Sequence, residues 1–331
     1  MSEGRGGGAP AATELIADRG AAAESDEFFR SRPFLDAEGV THTLRLEAGG
    51  TELVAPLIVR EIPGTDAHDA ISPYGYPGVV PANAEWTVDA PMGGSTVHSA
   101  IQAAEVDWSA TGLVSVFLRH TLGSPPLTGA SERNVVQIAD PELAPKSRAS
   151  DRNQINKNRR AGYEVVLVPG PETSAAQRAG FLAAYEQTMR RAAAAERYFF
   201  GAAYFERLFE SDRSWLAFAT APAGKVAAAS LAVRSDGFLH YYLSGSADAH
   251  LRDSPMKSIV AALVEHSAAL GLPLNLGGGI SPGDRLEEFK RGFANREQSW
   301  HTSELVCDRE AYDRLSAGRD PGGFFPAYRA P

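Results

Sequence analysis

The order in which the hydrophobic period changes after residue 162 restricts the fold of this chain more than any other feature. A strand-like run at 163–168 leads into two helical patterns at 173–195 and 201–211. Three strand patterns follow at 214–221, 226–234 and 238–243, the first two joined by a turn at Pro222 and Gly224. A helical pattern at 255–270, a short strand at 274–276, a helix opened by Asp284, a strand at 299–306 and a last helix from Arg309 complete the order. Strands and helices mixed in this way belong to the α/β (α+β) class. The first half of the chain repeats the tail of this order. In both halves a strand end bearing serine and aromatic residues, Ser72-Pro73-Tyr74-Gly75 or Tyr241-Tyr242-Leu243-Ser244-Gly245-Ser246, is followed by a loop, a helix and a further strand. The expectation is two related domains, the first degenerate.

A length of 331 residues accommodates two such domains. Residues 1–33, rich in Gly, Ala and scattered charge at their start, read as a disordered tail. Residues 34–145 read as the first domain, to which the C-terminal segment 309–331 can be added, and 146–308 as the second, with a change of texture between Pro141 and Pro145. The net charge of −9 argues against a protein that coats nucleic acid, so any RNA contact requires a local patch. The single cysteine, Cys307, excludes a disulfide framework and a cysteine-rich metal site, and reads as a small buried apolar residue. No apolar run approaches the roughly 20 residues that span a bilayer, and the N-terminus lacks a signal-peptide core. The expectation is a cytoplasmic protein without membrane insertion.

In the first half, strand patterns at 53–62 and 69–72 run into Pro73-Tyr74-Gly75-Tyr76-Pro77-Gly78. Ser72, Tyr74 and Tyr76 suit ligand contact there, with rigid rings and hydroxyl tips; equally, the rings can plug the edge of the core. Gly93-Gly94-Ser95 opens a predicted helix that reaches about residue 107 and offers a weak anion site. Arg119 ends the apolar strand at 113–119, where an arginine often merely reaches solvent. From 146 to 160 six basic residues stand against Asp151 alone, on a predicted helix closed by Gly162. A charge run is usually a solvated face, yet its sign opposes that of the whole chain. Arg148, Arg152, Lys157, Arg159 and Arg160 are therefore candidates for contact with an anionic partner.

The stretch LNLGGGISPGDRLEEFKRGF, from Leu274 to Phe293, joins three features expected of a reaction centre. A buried strand ends in Gly277, Gly278 and Gly279, where backbone can approach a ligand closely, and Asp284 caps a short helix. That helix carries Lys290 between Phe289 and Phe293. A triple glycine alone is more often a plain loop.

The order of elements matches the acyltransferase fold called GNAT. Together with Ser72-Pro73-Tyr74-Gly75-Tyr76, Phe117-Leu118-Arg119, Arg152-Asn153-Gln154-Ile155-Asn156-Lys157, the strand from His240 to Ser246, Leu276-Gly277-Gly278-Gly279 and Phe289-Lys290-Arg291-Gly292-Phe293, it resembles the Fem family of aminoacyl-tRNA-dependent amino-acid transferases and their FemAB-like relatives. The resemblance runs from about residue 34 to 315 and rests on order and spacing, since no single motif is specific. It implies tandem GNAT-like domains, with a transfer channel across the second. It also implies Lys290 near the reacting ester, Tyr241 lining the channel and Arg119 near the acceptor. Arg197, Ser244, Gly277, Gly278 and Phe289 join the substrate-binding candidates. Peptidoglycan-directed members tend to carry an acidic residue just after that arginine; His120 and Thr121 stand here instead.

Aminoacyl transfer from a ribose ester to an amine is downhill, so the protein must chiefly position the partners and stabilise an oxyanion. Lys290 suits the oxyanion task; its bland alternative is a solvated helix lysine. His240 and His120, each at a strand end, are the base candidates, against the commoner role of a satisfied structural histidine. The histidines show no metal-ligand spacing, and no GxSxG elbow occurs. No cofactor is expected. GNAT enzymes that use acetyl-CoA wrap the pyrophosphate with glycine backbone at a helix N-terminus. Here that loop reads His250-Leu251-Arg252-Asp253-Ser254-Pro255-Met256-Lys257, with no glycine and with a proline that removes an amide donor. The reading is an aminoacyl-tRNA-dependent transferase acting on a small-molecule amine, in antibiotic or other specialised-metabolite biosynthesis or resistance. The rivals are a CoA- or carrier-protein-dependent N-acyltransferase, a peptidoglycan-precursor aminoacyltransferase and a non-catalytic binding protein.

Overall fold

The computed structural model describes residues 11–48, 50–82, 102–124 and 126–330. They divide into two units. The first comprises Met1–Glu24, Glu38–Arg133 and His301–Pro331, the second Ser25–Ala37 and Asn134–Trp300.

In the first unit, β1 (Ala12–Ile16), β2 (His42–Ala48), β3 (Thr51–Glu61) and β4 (His68–Ile71) form an antiparallel meander, with β5 (Val80–Pro81) paired to β3. Alternation dictates which face of β2 is covered. Leu44 and Leu46 stand opposite Ala55 and Leu53 of β3 and all four are buried, while Arg45 between them reaches the carboxylate of Glu52. β6 (Ser115–Arg119) then pairs with β4 in parallel, through Ala70–Val116 and Ile71–Phe117.

The second unit repeats this plan. β7 (Ser131–Ala139) enters it first. A meander of β8 (Glu164–Pro169), β9 (Ser214–Thr220), β10 (Val226–Ser235) and β11 (Phe238–Ser246) follows, and β12 (Leu274–Gly277) pairs with β11 in parallel. The expected tandem α/β arrangement is therefore present. Each unit also has one further strand beside its parallel pair. β12 pairs antiparallel with β7, whereas β6 pairs antiparallel with the second part of β13 (Arg296–Val306), from Thr302 to Val306.

The helices of the second unit are α1 (Arg32–Glu38), α2 (Ala149–Arg160), α3 (Ala175–Arg191), α4 (Ala202–Phe209), α5 (Met256–Ala269) and α6 (Arg285–Arg291). Ser174 and Gln177 close a reciprocal capping box at the start of α3. The alanine-rich β10 has small side chains where α3 and α5 pack on it. Gly245 shows why small residues are needed: a Cβ there would lie 2.3 Å from the carbonyl oxygen of Ala184 on α3. In the first unit α7 (Arg309–Ser316) packs Ala311 with Ile62, Val114 and Tyr328.

Two expectations need correction or restriction. Residues 12–33 are not a disordered tail: β1 pairs along its length with β2, and Phe28, Phe29 and Arg30 are buried. Phe28 and Phe29 cluster with Phe34 and Tyr242, and Arg30 makes a bidentate ion pair with Asp236. Burial of two aromatic rings and a matched charge outweighs the poor local composition. The predicted helix reaching residue 107, and with it Gly93-Gly94-Ser95, lies largely outside the described residues. Where the description resumes, a 3-10 turn at Ala103–Glu105 is found.

Candidate active site

Lys290 sits near the C-terminal end of α6 and is 7 % exposed. Its ammonium donates to the carbonyl oxygen of Gly278 at 2.6 Å. Burial pulls its pKa down to about 8, against the attraction of the Asp284 carboxylate. Asp284 organises the turn before the helix. Its carboxylate accepts from the amides of Ile280, Ser281 and Glu287, and these bonds hold its own pKa below the usual carboxylate value.

The sequence suggested that the three glycines leave room for a ligand; the chain's own side chains take that room. A Cβ on Gly278 would meet the Asn134 side chain at 2.4 Å, and one on Gly279 would meet Asp284 Oδ1 at 2.6 Å. Gly277 has φ +74°, and its Cβ would stand 3.1 Å from Lys290 Nζ. The turn is thus packed, with Asn134 donating to the Gly279 carbonyl at 3.2 Å. Phe289, half-buried, meets Phe293 edge to face at 5.8 Å.

His240 lies on β11 and is fully buried. Its Nε2 is 3.2 Å from the Ser235 carbonyl oxygen, so that nitrogen carries the proton, and Nδ1 accepts from Asn275 Nδ2 at 3.0 Å. Asn275 Oδ1 in turn accepts from the Gly277 amide at 2.8 Å. Burial pushes the pKa of His240 down to about 4, so it is neutral at neutral pH. A general base needs an open lone pair, and that of His240 is taken by Asn275. The geometry gives His240 a holding role: it fixes Asn275, which fixes the turn against which Lys290 rests. Asn275 was missed from the sequence, although a polar residue between Leu274 and Leu276 in a buried strand was a visible signal.

β11 and β12 part beside this turn. Only Leu239–Leu274 and His240–Asn275 are paired, yet β11 continues to Ser246. A bulge assists: Ala232 faces Tyr241 while Leu231 faces Leu243, leaving Tyr242 as the extra residue. Tyr241 therefore begins the unpaired length of β11. Its hydroxyl accepts from Ser244 Oγ at 2.6 Å, and burial pushes its pKa up to about 12, so it remains a neutral phenol. A ladder that stops inside a sheet can pair with an extended acyl substrate. Arg197 is exposed, with its guanidinium 5.0 Å from the Tyr198 ring.

The remaining candidates other than those of the basic helix belong to the first unit. Ser72 is buried and its Oγ accepts from the Arg119 amide at 3.1 Å, while the Arg119 guanidinium donates to the Ser72 carbonyl at 2.5 Å and lies over Phe117. The amide of Tyr74 donates to Glu38, and Tyr74 and Tyr76 are both half-buried. His120 is buried, with Nε2 2.8 Å from Ser303 Oγ. Arg119 and Ser72 thus brace one another at the ends of β6 and β4, and His120 is engaged as a structural histidine is.

α2 has two distinct faces. Asp151 and Asn158 are buried: Asp151 pairs with Lys257 of α5 at 2.8 Å, and Asn158 and Gln154 donate to the Asp253 carbonyl at 2.9 and 3.0 Å. Gly292 permits this docking, since a Cβ there would meet Asp151 Oδ2 at 2.6 Å. Arg152, Lys157, Arg159 and Arg160 are exposed; Arg148 is committed to Glu288 at 2.8 Å. At the N-terminus of α5 the amides of Lys257 and Ser258 bond back to the carbonyls of Ser254 and Pro255, and the Tyr163 hydroxyl joins Asp253 and His250 at 2.8 and 2.9 Å.

Residues 145–291 match the acetyltransferase (GNAT) domain family. The crystal structure of FemX superposes with a TM-score of 0.58, covering 91% of this chain and 99% of its own at 10% identity. The C-terminal domain of a protein assigned as lysylphosphatidylglycerol synthetase in Agrobacterium fabrum gives 0.55, covering 88% and 92% at 12% identity. The fold is that of the Fem-like GNAT acyltransferases. No curated protein sequence matches significantly. The matched segment begins just before α2 and ends at Arg291, so it contains the basic helix, the parted strands and Lys290. Among the described residues no helix is long and apolar enough to cross a membrane, and no group of His, Cys, Asp or Glu is arranged to hold a metal ion.

Proposed function

We propose that this chain transfers an aminoacyl group from aminoacyl-tRNA to the amine of a small-molecule acceptor, in the assembly of, or resistance to, a specialised metabolite. The observation that carries the reading is the state of the α5 N-terminus. Where a GNAT acetyltransferase would offer free amides to a pyrophosphate, this chain bonds them to its own carbonyls and covers the loop with Gln154, Asn158 and Tyr163. The helix that covers it presents Arg152, Lys157, Arg159 and Arg160 outward, as a polyanionic donor requires. One protein of this fold is named for lysylphosphatidylglycerol, an aminoacylated product, which accords with aminoacyl chemistry on the same scaffold.

In the reaction the acceptor nitrogen attacks the ester carbonyl, the tetrahedral oxyanion collapses, and the ribose oxygen leaves with the proton that the amine gives up. Lys290, charged below about pH 8, supplies the positive hydrogen-bond donor for the oxyanion. Tyr241 and the unpaired edge of β11 align the acyl chain, and the donor supplies no covalent enzyme intermediate. The second reading, acyl transfer from CoA or a carrier protein, is favoured by the acetyltransferase family match.

One assay separates them. Purified protein, candidate amines, charged tRNA and acetyl-CoA are combined, and products are read by mass spectrometry with and without ribonuclease. Aminoacyl amide that disappears on ribonuclease treatment is expected; acetyl amide, or product indifferent to ribonuclease, would overturn the tRNA reading. The double variant Arg152→Glu/Lys157→Glu should weaken tRNA binding and lower the slope of log affinity against log salt by about 2. Binding and slope equal to those of the unaltered protein would remove α2 from the interface.

A further inference from the structure

We propose that the first unit carries a separate binding site for a small organic anion with an apolar arm, in the cleft between the end of β3 and the C-terminal segment. The cleft has a volume of about 480 Å³, within the range of small-molecule sites. Three guanidiniums line it, those of Arg60, Arg319 and Arg329, together with the apolar surfaces of Ile62, Leu315 and Phe324.

Two of the arginines, Arg60 and Arg329, are held by a group that does not itself face solvent. Asp69 is fully buried, and its carboxylate accepts from Arg60 Nε at 2.9 Å, from Arg329 Nε and Nη2 at 2.5 and 3.0 Å, and from the Tyr328 hydroxyl at 3.1 Å. Ser115 braces Tyr328 from the other side at 2.7 Å. The carboxylate takes the inner edge of both guanidiniums. Both terminal nitrogens of Arg60 and Nη1 of Arg329 have no partner among the described residues, and neither has the side chain of Arg319. Three positive charges face one buried negative charge, in a chain whose net charge is −9. Fixed guanidiniums bind a carboxylate or phosphate through paired donors and lose little side-chain entropy in doing so. Phe324, 37 % exposed, gives the rest of the ligand an aromatic face. The cleft is lined only by residues of the first unit, so this site stands or falls independently of the role given to Lys290.

Isothermal titration calorimetry with phenyl phosphate, phenylacetate and inorganic phosphate tests it. Both aromatic anions are expected to bind saturably, with inorganic phosphate about tenfold weaker than phenyl phosphate. Arg319→Glu, at an exposed side chain whose loss leaves the fold intact, should weaken all three by about tenfold or more. Phe324→Ala should weaken the aromatic anions and leave inorganic phosphate unchanged. Absence of saturable binding by either aromatic anion, or wild-type affinity in Arg319→Glu, would overturn the site. Equal affinity for inorganic phosphate and phenyl phosphate would overturn the apolar arm.

Discussion

Lys290→Met is expected to lower kcat for amide formation by a factor on the order of 10² to 10³, with little change in the melting temperature. The two effects separate because the lysine is buried against its own interest. An ammonium 7 % exposed, with its pKa drawn down from 10.5 to about 8, is costly to keep charged at neutral pH; methionine removes that cost and leaves the Gly278 carbonyl short of one donor. These terms oppose each other. Above pH 8 the folded chain has released the Lys290 proton while the unfolded chain still holds it, so wild-type stability gains with pH up to about 10.5. The variant lacks that gain, which urea melts at pH 7 and pH 9.5 would reveal. Activity follows the opposite sign: a donor that must be charged stops working above about pH 8, and kcat should fall there while the acceptor amine becomes a better nucleophile. Full activity in Lys290→Met, or a wild-type profile that keeps rising through pH 9, would remove this residue from the chemistry.

Asp236→Asn should be the most destabilising single change in the second unit, by about 3 to 5 kcal/mol, because it leaves the Arg30 guanidinium buried without its counter-charge. Both side chains are about 1 % exposed, and Asp236 has φ +51°, which asparagine tolerates. The backbone is therefore not the cause of the loss. Arg30→Met alone should cost a similar amount, and combining the two changes should restore most of the stability, since the pair's desolvation cost disappears with the pair. Denaturant midpoints of the two single variants and the double variant decide the matter. Additive losses would show that residues 25–37 are held by their aromatic contacts alone.

Much of the fold was legible because its elements carry strong periodic signals. Asp284 marked a helix start, and the runs at 214–221, 226–234 and 238–243 became β9, β10 and β11. The segment 12–33 was hidden for a physical reason. β1 draws its order from β2, further along the chain, and Phe28 to Arg30 draw theirs from partners more than two hundred residues away, Ser235, Asp236 and Tyr242, none of which a local window contains. The candidate site divides in the same way. Lys290 between two phenylalanines was visible as a residue type out of place. The function of its neighbours was not: that Gly278 must be glycine because of Asn134, and that His240 holds Asn275 instead of a proton in transit, depends on contacts across strands. A sequence shows which groups are capable of chemistry; whether a lone pair is open is decided by tertiary contacts.

The strands beside the two parallel pairs, β13 and β7, restrict how this protein can be made or dissected. β6 waits for a neighbour that the ribosome supplies only at residues 302–306, near the end of the chain, so the first half of the molecule leaves the exit tunnel with a bare hydrogen-bonding edge. A fragment that stops at residue 300 would keep that edge permanently, and one that starts at residue 146 would strip β12 of β7. Neither half is a portable module, and a catalytic fragment cut at the family-match boundaries should be recovered as aggregate.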